Sequence, residues 1–350
     1  MTDVGFPLVE VCGSSYEMGY QHGAQAARPI RRYIGWISRL TGLSLDVLGH
    51  NALAFLPILQ AFSPAFVEEV RGLADGAGIS FDQALLCQVR GEAVRVSGTD
   101  ASRSDEGCTA FAFTGSATAD GQPLAGQNQD LEPEFEELGI LLRVKPNDGR
   151  PQALMFTYAG QLGYAGMNEH GLAHFNNILF DYEWRLALPR QPLKRVLLEQ
   201  RTVADCVALL ARWRVCSAAN AVLCDRKEIA DVEMRPEGCA LWPGDHPDAR
   251  LHTNHYLTAQ FAAHETNMVA DTRPRLARLA ALAAGAWGDI TVDAIKGWLA
   301  DHAGDPGGIC RHGANGWHTI AGFIAEPAKG LFHIRRGHGC AGTWKVYEVK

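Results

Sequence analysis

Helix signals dominate residues 1–96, and strand signals take over after residue 107. Leu8–Cys12 reads as a short strand. Ser14-Ser-Tyr-Glu17 is a capping box and predicts a helix toward Arg28 and, past Pro29, on to Leu40. Ser63-Pro64 starts another helix, serine as cap and proline at the first helical position, running from Ala65 to about Asp75. Gly76-Ala-Gly78 stops it, and Ser80 is placed to cap a third helix over Phe81–Gln88.

The stretch Ser97-Gly-Thr-Asp-Ala-Ser-Arg-Ser-Asp-Glu106 is too polar to bury and predicts an exposed linker over 97–107. Beyond it, Cys108-Thr-Ala-Phe-Ala-Phe-Thr-Gly115 alternates with a period of two. Phe111 and Phe113 then face one side of a strand, and Cys108, Ala110 and Ala112 the other. Asp120-Gly121 signals a tight turn, and Pro123–Asp130 is the return strand. A two-residue turn would set Phe111 opposite Asp130 and bring that carboxylate back near Cys108. Further strands are expected at Gly139–Lys145, Ala153–Tyr158, Gly163–Met167 and Leu172–Ile178, the last two joined by Asn168-Glu-His-Gly171. Helices follow at about Leu193–Gln200 and Val203–Arg214, then strands at Ala221–Cys224, Ile229–Met234 and Cys239–Trp242. His252-Thr-Asn-His255 falls in or just after an edge segment. Helices Arg273–Ala284 and Val292–His302 precede the closing strands His318–Ala325, Gly330–Arg335 and Thr343–Val349. This order predicts a layered α+β fold, with sheets between helices.

Composition narrows the function classes. The 350 residues are 47% hydrophobic and 20% charged, enough for one large or two medium domains with a real core. A net charge of −7 argues against a nucleic-acid partner. No apolar run approaches a membrane span, and no secretory signal is visible at the start. The nine cysteines have no C-x-x-C spacing and read as reduced thiols, so a cytoplasmic location is expected.

The chemistry centres on Gly107-Cys108-Thr109. If the Gly107–Cys108 bond were cut, Cys108 would carry a thiol nucleophile and a free α-amine. Such an amine titrates at roughly 7.7–8.0 and can take the proton of a thiol that starts near about 8.5. Nucleophile and base then sit in one residue. Before cleavage the same thiol can attack the Gly107 carbonyl, and glycine tolerates the distortion that attack requires. Asp130 is the candidate partner for the amine. Asn254 is a candidate oxyanion donor, and Arg311 can pair with Asp130 or a substrate carboxylate. Thr109, Asn128, Asn177 and His255 are candidate supporting or substrate-binding residues. His252, His255, Cys310, His312 and His318 suggest a rival metalloenzyme. There is no H-E-x-x-H and no zinc-finger spacing, so no metal and no cofactor are expected. A G-x-S-x-G elbow, a P-loop and a dinucleotide fingerprint are also missing.

Six motifs in order then carry a family resemblance. They are Gly13-Ser-Ser-Tyr-Glu-Met-Gly-Tyr-Gln-His-Gly23, Asp105-Glu-Gly-Cys-Thr109, Gly126-Gln-Asn-Gln-Asp130, Asn168-Glu-His-Gly-Leu172, His252-Thr-Asn-His255 and Ile309-Cys-Arg311. Together they resemble the isopenicillin N acyltransferase-like (acyl-CoA:6-aminopenicillanic acid acyltransferase) enzymes, a cysteine branch of the N-terminal-nucleophile hydrolases. The resemblance implies a four-layer αββα sandwich and a precursor that cleaves itself before Cys108. It implies residues 1–107 as one subunit and 108–350 as the nucleophile-bearing subunit, together forming one domain. Cys108 would be the nucleophile, Asp130 would orient its amine, Asn254 would donate to the oxyanion and Arg311 would buttress the site. Two departures stand out. Gln129 replaces the tryptophan of the penicillin-forming member, and Ala110 replaces its threonine.

The expected activity is cleavage or transfer of an acyl group at a small-molecule amide through a Cys108 acyl-enzyme, with hydrolysis favoured. The substrate is a small N-acyl compound. The alternatives are an acyl-CoA-dependent N-acyltransferase and an uncleaved, non-catalytic binding protein. A heterodimer from one precursor is expected, with a homo-oligomer left open.

Overall fold

The computed structural model describes residues 5–98, 107–181, 183–266, 269–313 and 317–349. Strand β1 (Leu8–Gly13) leads through the Ser14 cap into α1 (Ser15–Thr41). Ser14 Oγ accepts from the Glu17 amide at 3.3 Å, and the Glu17 carboxylate accepts from the Ser14 amide at 2.7 Å. α1 passes through Pro29 with a kink at Ala26, just ahead of the ring that removes a backbone donor. α2 (Leu45–Leu53), α3 (Leu56–Phe62), α4 (Pro64–Ala77), α5 (Phe81–Gln88) and α6 (Arg90–Val96) complete the helical start. Ser63 caps α4 as expected, whereas the Ser80 side chain makes no capping bond to α5.

Glycines let α1 and α4 touch backbone to backbone. A Cβ on Gly19 would overlap the Glu69 carbonyl oxygen, and one on Gly72 would overlap the Tyr16 carbonyl oxygen. The glycines of the Gly13–Gly23 motif thus have a packing reason as well as a helix-start one.

β2 (Gly107–Phe113) and β3 (Leu124–Leu131) follow, then α7 (Glu134–Leu138), β4 (Gly139–Pro146), β5 (Ala153–Tyr158), β6 (Ala165–Asn168) and β7 (Ala173–Ile178). Next come α8 (Arg190–Leu197), α9 (Val203–Arg212), β8 (Ala219–Cys224), β9 (Ile229–Arg235), β10 (Gly238–Leu241) and β11 (Ala249–His252). The chain closes with α10 (Thr272–Gly285), α11 (Val292–Trp298), β12 (His318–Glu326), β13 (Leu331–Arg336) and β14 (Trp344–Glu348).

Two sheets result, ordered β1-β4-β5-β6-β7-β8-β9-β10 and β11-β2-β3-β12-β13-β14. They pack face to face, with β7 and β8 against β2 and β3 and with the Phe156 and Phe323 rings 5.0 Å apart. α1 and α9 pack on the first sheet. Leu279 of α10 and Trp298 of α11 cover Phe111, Phe113 and Leu124 on the second. The architecture is the expected four-layer αββα sandwich. Among the described residues, no single helix is long and apolar enough to cross a membrane.

Two local expectations need correction. β2 and β3 do not pair Phe111 with Asp130; the register sets Gly107 opposite Asp130, Cys108 opposite Gln129 and Phe111 opposite Gly126. The connection is longer than a two-residue turn, because the chain leaves β2 at Phe113 and makes a 3₁₀ turn at Gly115–Ala117 before reaching Asp120-Gly121. Asp130 is therefore nearer to Cys108 than the turn signal implied. Gly107 is also not exposed linker: it is a buried, ladder-paired residue of β2. Residues 99–106 of the expected linker lie outside the described residues, and Ser97 and Gly98 are exposed.

Candidate active site

Alternation along β2 divides the site between the two faces of one sheet. Cys108 turns inward with Ala110 and Ala112, toward the first sheet, and is 1% exposed. Its thiol lies 3.5 Å from Gln129 Oε1, its cross-strand neighbour. Gln129 Oε1 also accepts from Gln127 Nε2 at 2.8 Å, and Gln127 Oε1 accepts from the Asn176 amide of β7 at 2.9 Å. A glutamine relay thus ties the thiol to the facing sheet. Gln129 Nε2 and Asn176 Nδ2 are buried donors that take no acceptor among the described residues.

The other face holds the charges. Asp130 is fully buried and accepts from Thr319 Oγ1 at 2.7 Å. The β12 ladder shifts register between Thr319 and Ala321, and this irregularity sits beside the site. Arg311 Nε forms an ion pair with Asp130 at 3.5 Å, while Arg311 Nη2 pairs with Asp271. A Cβ on Gly107 would lie 3.0 Å from Arg311 Nη1 and 3.1 Å from Asp130 Oδ2, so a larger residue would crowd both charged groups. Burial raises the Asp130 carboxyl above its ordinary value, against the pull of Arg311, Arg275 and Thr319.

Asn254 stands just past the β11 edge strand and meets Cys108 through its acceptor atom. The Cys108 amide donates to Asn254 Oδ1 at 2.9 Å, and Asn254 Nδ2 donates to the Ile178 carbonyl at 3.0 Å. In this chain Asn254 thus meets Cys108 through its oxygen, and its nitrogen faces the Ile178 carbonyl.

One central residue was not anticipated. Arg275, fully buried on α10, donates through Nη1 to the Cys108 carbonyl at 2.7 Å and to Thr109 Oγ1 at 3.0 Å. Its Nη2 donates to Asn254 Oδ1 at 2.8 Å, and its Nε to Asp271 Oδ1 at 3.0 Å. Arg275, Arg311, Asp130 and Asp271 form a charge-balanced quartet beneath the Gly107–Cys108 bond. The only hint in the sequence was its place just after Pro274, at a helix start.

The remaining candidates fall around this centre. Thr109 is held by Arg275. Asn128 donates to the Leu299 and Ile309 carbonyls at 2.8 and 3.0 Å and accepts from Arg335 at 3.0 Å, contacts on the side of the sheet away from the thiol. Asn177 donates to the His252 carbonyl at 3.4 Å. His255 is bound by Thr253 and Thr272, and His252 by Glu233 and the Thr253 carbonyl. The histidines at 252 and 255 are thus committed to hydrogen bonds apart from the cluster at His312. A cleft opens nearby, walled by Asn176, Asn177 and Ile178, with Phe135, Tyr158 and Tyr164 among its aromatic lining. Arg90, Arg190 and Lys194 add cationic groups to it. Ile178 links this wall to Asn254, and Asn176 links it to the glutamine relay.

The sequence model of the acyl-coenzyme A:6-aminopenicillanic acid acyl-transferase family matches residues 117–338, well over half of the chain. The chain belongs to this family. The matched part begins after Cys108 and includes Asp130, Asn254, Arg275 and Arg311. A curated relative, an uncharacterized protein of Archaeoglobus fulgidus, is 26% identical over 191 residues, covering 47% of this chain and 32% of that protein. The chain thus spans about a third of that relative's length. Among solved structures, it is similar to a mutant of the conjugated bile acid hydrolase from Clostridium perfringens, at 13% identity and TM-score 0.47, over 69% of this chain and 97% of that one. It is similar to a Caenorhabditis elegans ortholog of N-acylethanolamine-hydrolyzing acid amidase, at 14% identity and TM-score 0.46, over 63% and 93%. It is also similar to penicillin V acylase from Agrobacterium tumefaciens, at 13% identity and TM-score 0.47, over 68% and 84%.

Proposed function

We propose that this family member is a self-processing cysteine N-terminal-nucleophile enzyme that cleaves the amide bond of a small N-acyl compound. The observation that carries the reading is the setting of the Gly107–Cys108 bond. On the Cys108 side its thiol, its amide nitrogen and its own carbonyl are each held by a different buried group, and on the other side Gly107 packs against Asp130 and Arg311.

In the first step the Cys108 thiol attacks the Gly107 carbonyl. Acyl transfer from nitrogen to sulfur, then hydrolysis of the thioester, leaves a free amine on Cys108. Asn254 Oδ1, already facing that nitrogen, accepts one of its hydrogens. The quartet below is neutral, so no uncompensated negative charge awaits an ammonium, which favours the free base. The amine takes the thiol proton, the thiolate adds to the substrate carbonyl, and the proton passes to the leaving amine. Asn254 Nδ2 has two hydrogens; one goes to Ile178, and the second is the one an oxyanion would take. Gln129 Nε2 is a further donor of the right kind beside the thiol. Water then resolves the acyl-enzyme. The cleft at Asn176–Ile178 is the proposed substrate pocket, its aromatic groups suited to an acyl chain.

The piece ending at Gly107 would stay bound after cleavage, since β1 forms six parallel register pairs with β4 and α1 packs on the same sheet. Transfer to an amine acceptor, with acyl-CoA as donor, is the second reading, favoured by the name of the matched family. The two differ only in which nucleophile reaches the acyl group.

Intact mass under denaturing conditions tests the proposal. The wild type is expected as two pieces, residues 1–107 and 108–350, and Cys108→Ala as one chain without amidase activity. A wild-type chain that stays whole for days, with an inert Cys108, would mark a binding protein and sink the proposal.

A further inference from the structure

Four side chains from separated places converge beside Arg311. His302 follows α11, Cys310 and His312 flank Arg311, and Cys340 lies between β13 and β14. One ligand atom from each lies within 4.8 Å of all the others. Around His312 Nε2 stand His302 Nε2 at 2.9 Å, Cys340 Sγ at 3.4 Å and Cys310 Sγ at 3.7 Å. A single imidazole nitrogen cannot serve three such neighbours by hydrogen bonding, because it holds either one proton or one lone pair. A cation at their common centre satisfies all four at once. Tetrahedral zinc, with bonds of about 2.3 Å to sulfur and 2.0–2.1 Å to nitrogen, sets ligand–ligand edges of roughly 3.3–3.8 Å. The two sulfur–nitrogen edges to His312 fall in that range, the edges not involving His312 lie within 4.8 Å, and the exposed His302 has room to lengthen its 2.9 Å edge.

We infer that His302, Cys310, His312 and Cys340 form a tetrahedral Cys2His2 site for a divalent zinc-class ion. Two thiolates balance its charge, and the mixed sulfur–nitrogen donor set selects zinc over harder cations. The Gly339 amide donates to Cys310 Sγ at 3.2 Å, a supporting bond of the kind that fixes a thiolate ligand. Four protein ligands leave no open position, so the ion is structural. It ties the turn after α11 and the loop after β13 to the segment that presents Arg311. Cys310 and His312 turn one way, and Arg311 between them turns toward Asp130 and Asp271. The sequence expectation of no metal rested on spacing. Ligands 10 and 28 residues from His312 match no compact motif, and only the fold assembles them.

The test is metal content of the full-length protein, purified without chelator from zinc-supplemented cells, independent of any activity. About one zinc per chain is expected in the wild type and in Cys108→Ala. His302→Ala/Cys340→Ser, both at exposed positions, is expected to keep wild-type circular dichroism and to fall below about a tenth of an equivalent. Reduced, metal-stripped wild type should take up cobalt with the visible bands of a tetrahedral ion and a thiolate charge-transfer band, and the double variant should not. No cobalt spectrum in the reduced wild type would overturn the inference. So would equal metal in wild type and double variant, or a Cys310–Cys340 disulfide in non-reduced peptides of the metal-free protein.

Discussion

At the scale of residues, the centre depends on one guanidinium doing several jobs. Arg275 reaches the Cys108 carbonyl, Thr109, Asn254 and Asp271 from a single rigid fork. A lysine ammonium is a point charge and cannot span those acceptors. Arg275→Lys should therefore lower kcat/KM on an N-acyl substrate by about 100-fold, and slow appearance of the 108–350 piece, through misplacement of Cys108 and Asn254. Kinetics and intact mass followed over time check this; wild-type rates in both would remove Arg275 from the positioning role. Cys108 was a candidate beforehand because a glycine–cysteine step at a strand start carries its own chemistry, and Asp130 because a hairpin returned it toward Cys108, although in a register four positions from the observed one. Arg275 was not, since a basic residue near a helix start has many bland uses. What makes it special is a contact 167 residues away in sequence.

Among elements, the α1–α4 pair meets backbone to backbone. Gly19 and Gly23 on one helix and Gly72 and Gly76 on the other leave no room for side chains against the opposing carbonyls. Gly72→Val should push the helices apart and cost about 1–3 kcal/mol or more, by overpacking plus the β-branched penalty in a helix. Urea unfolding of wild type and variant checks it, and an unchanged midpoint would mean that the pair has slack. The strands tell a different story. Their positions followed from period-two patterning, but the β2–β3 register did not, because the turn signal at Asp120-Gly121 does not count the residues of the 3₁₀ turn before it. Register decides which atom sits opposite Cys108, so this error of four positions touched the chemistry directly.

For the whole molecule, burial turns several histidines into acid sensors. Burial lowers the His22 imidazole to about 4, helped by Arg195, and that of His174 to about 3, helped by Lys194. The unfolded chain holds these groups near about 6.5, so it binds more protons below that pH. Their stabilisation is complete above pH 6.5 and is lost as pH falls toward those values. Burial also pulls His252 down, but Asp231 and Glu233 outweigh it and leave it raised, so that residue works in the opposite sense. His22→Gln, which keeps an acceptor for the Gly160 amide, should reduce the loss of stability between pH 7 and pH 5 by roughly 1–2 kcal/mol. Denaturant midpoints at both pH values measure it; an unaltered pH dependence would show that His22 does not stay neutral. The sequence by itself determined most of the strands and the longer helices, their order along the chain, and a layered α+β arrangement; the count of four layers came from the family resemblance. The sequence did so because propensity, capping and period-two patterning act over a few residues. Only the tertiary structure decided that Gly107 faces Asp130, that Arg275 reaches across from α10, and that His302, Cys310, His312 and Cys340 meet. Those outcomes depend on register and packing between distant segments, which local pattern does not encode.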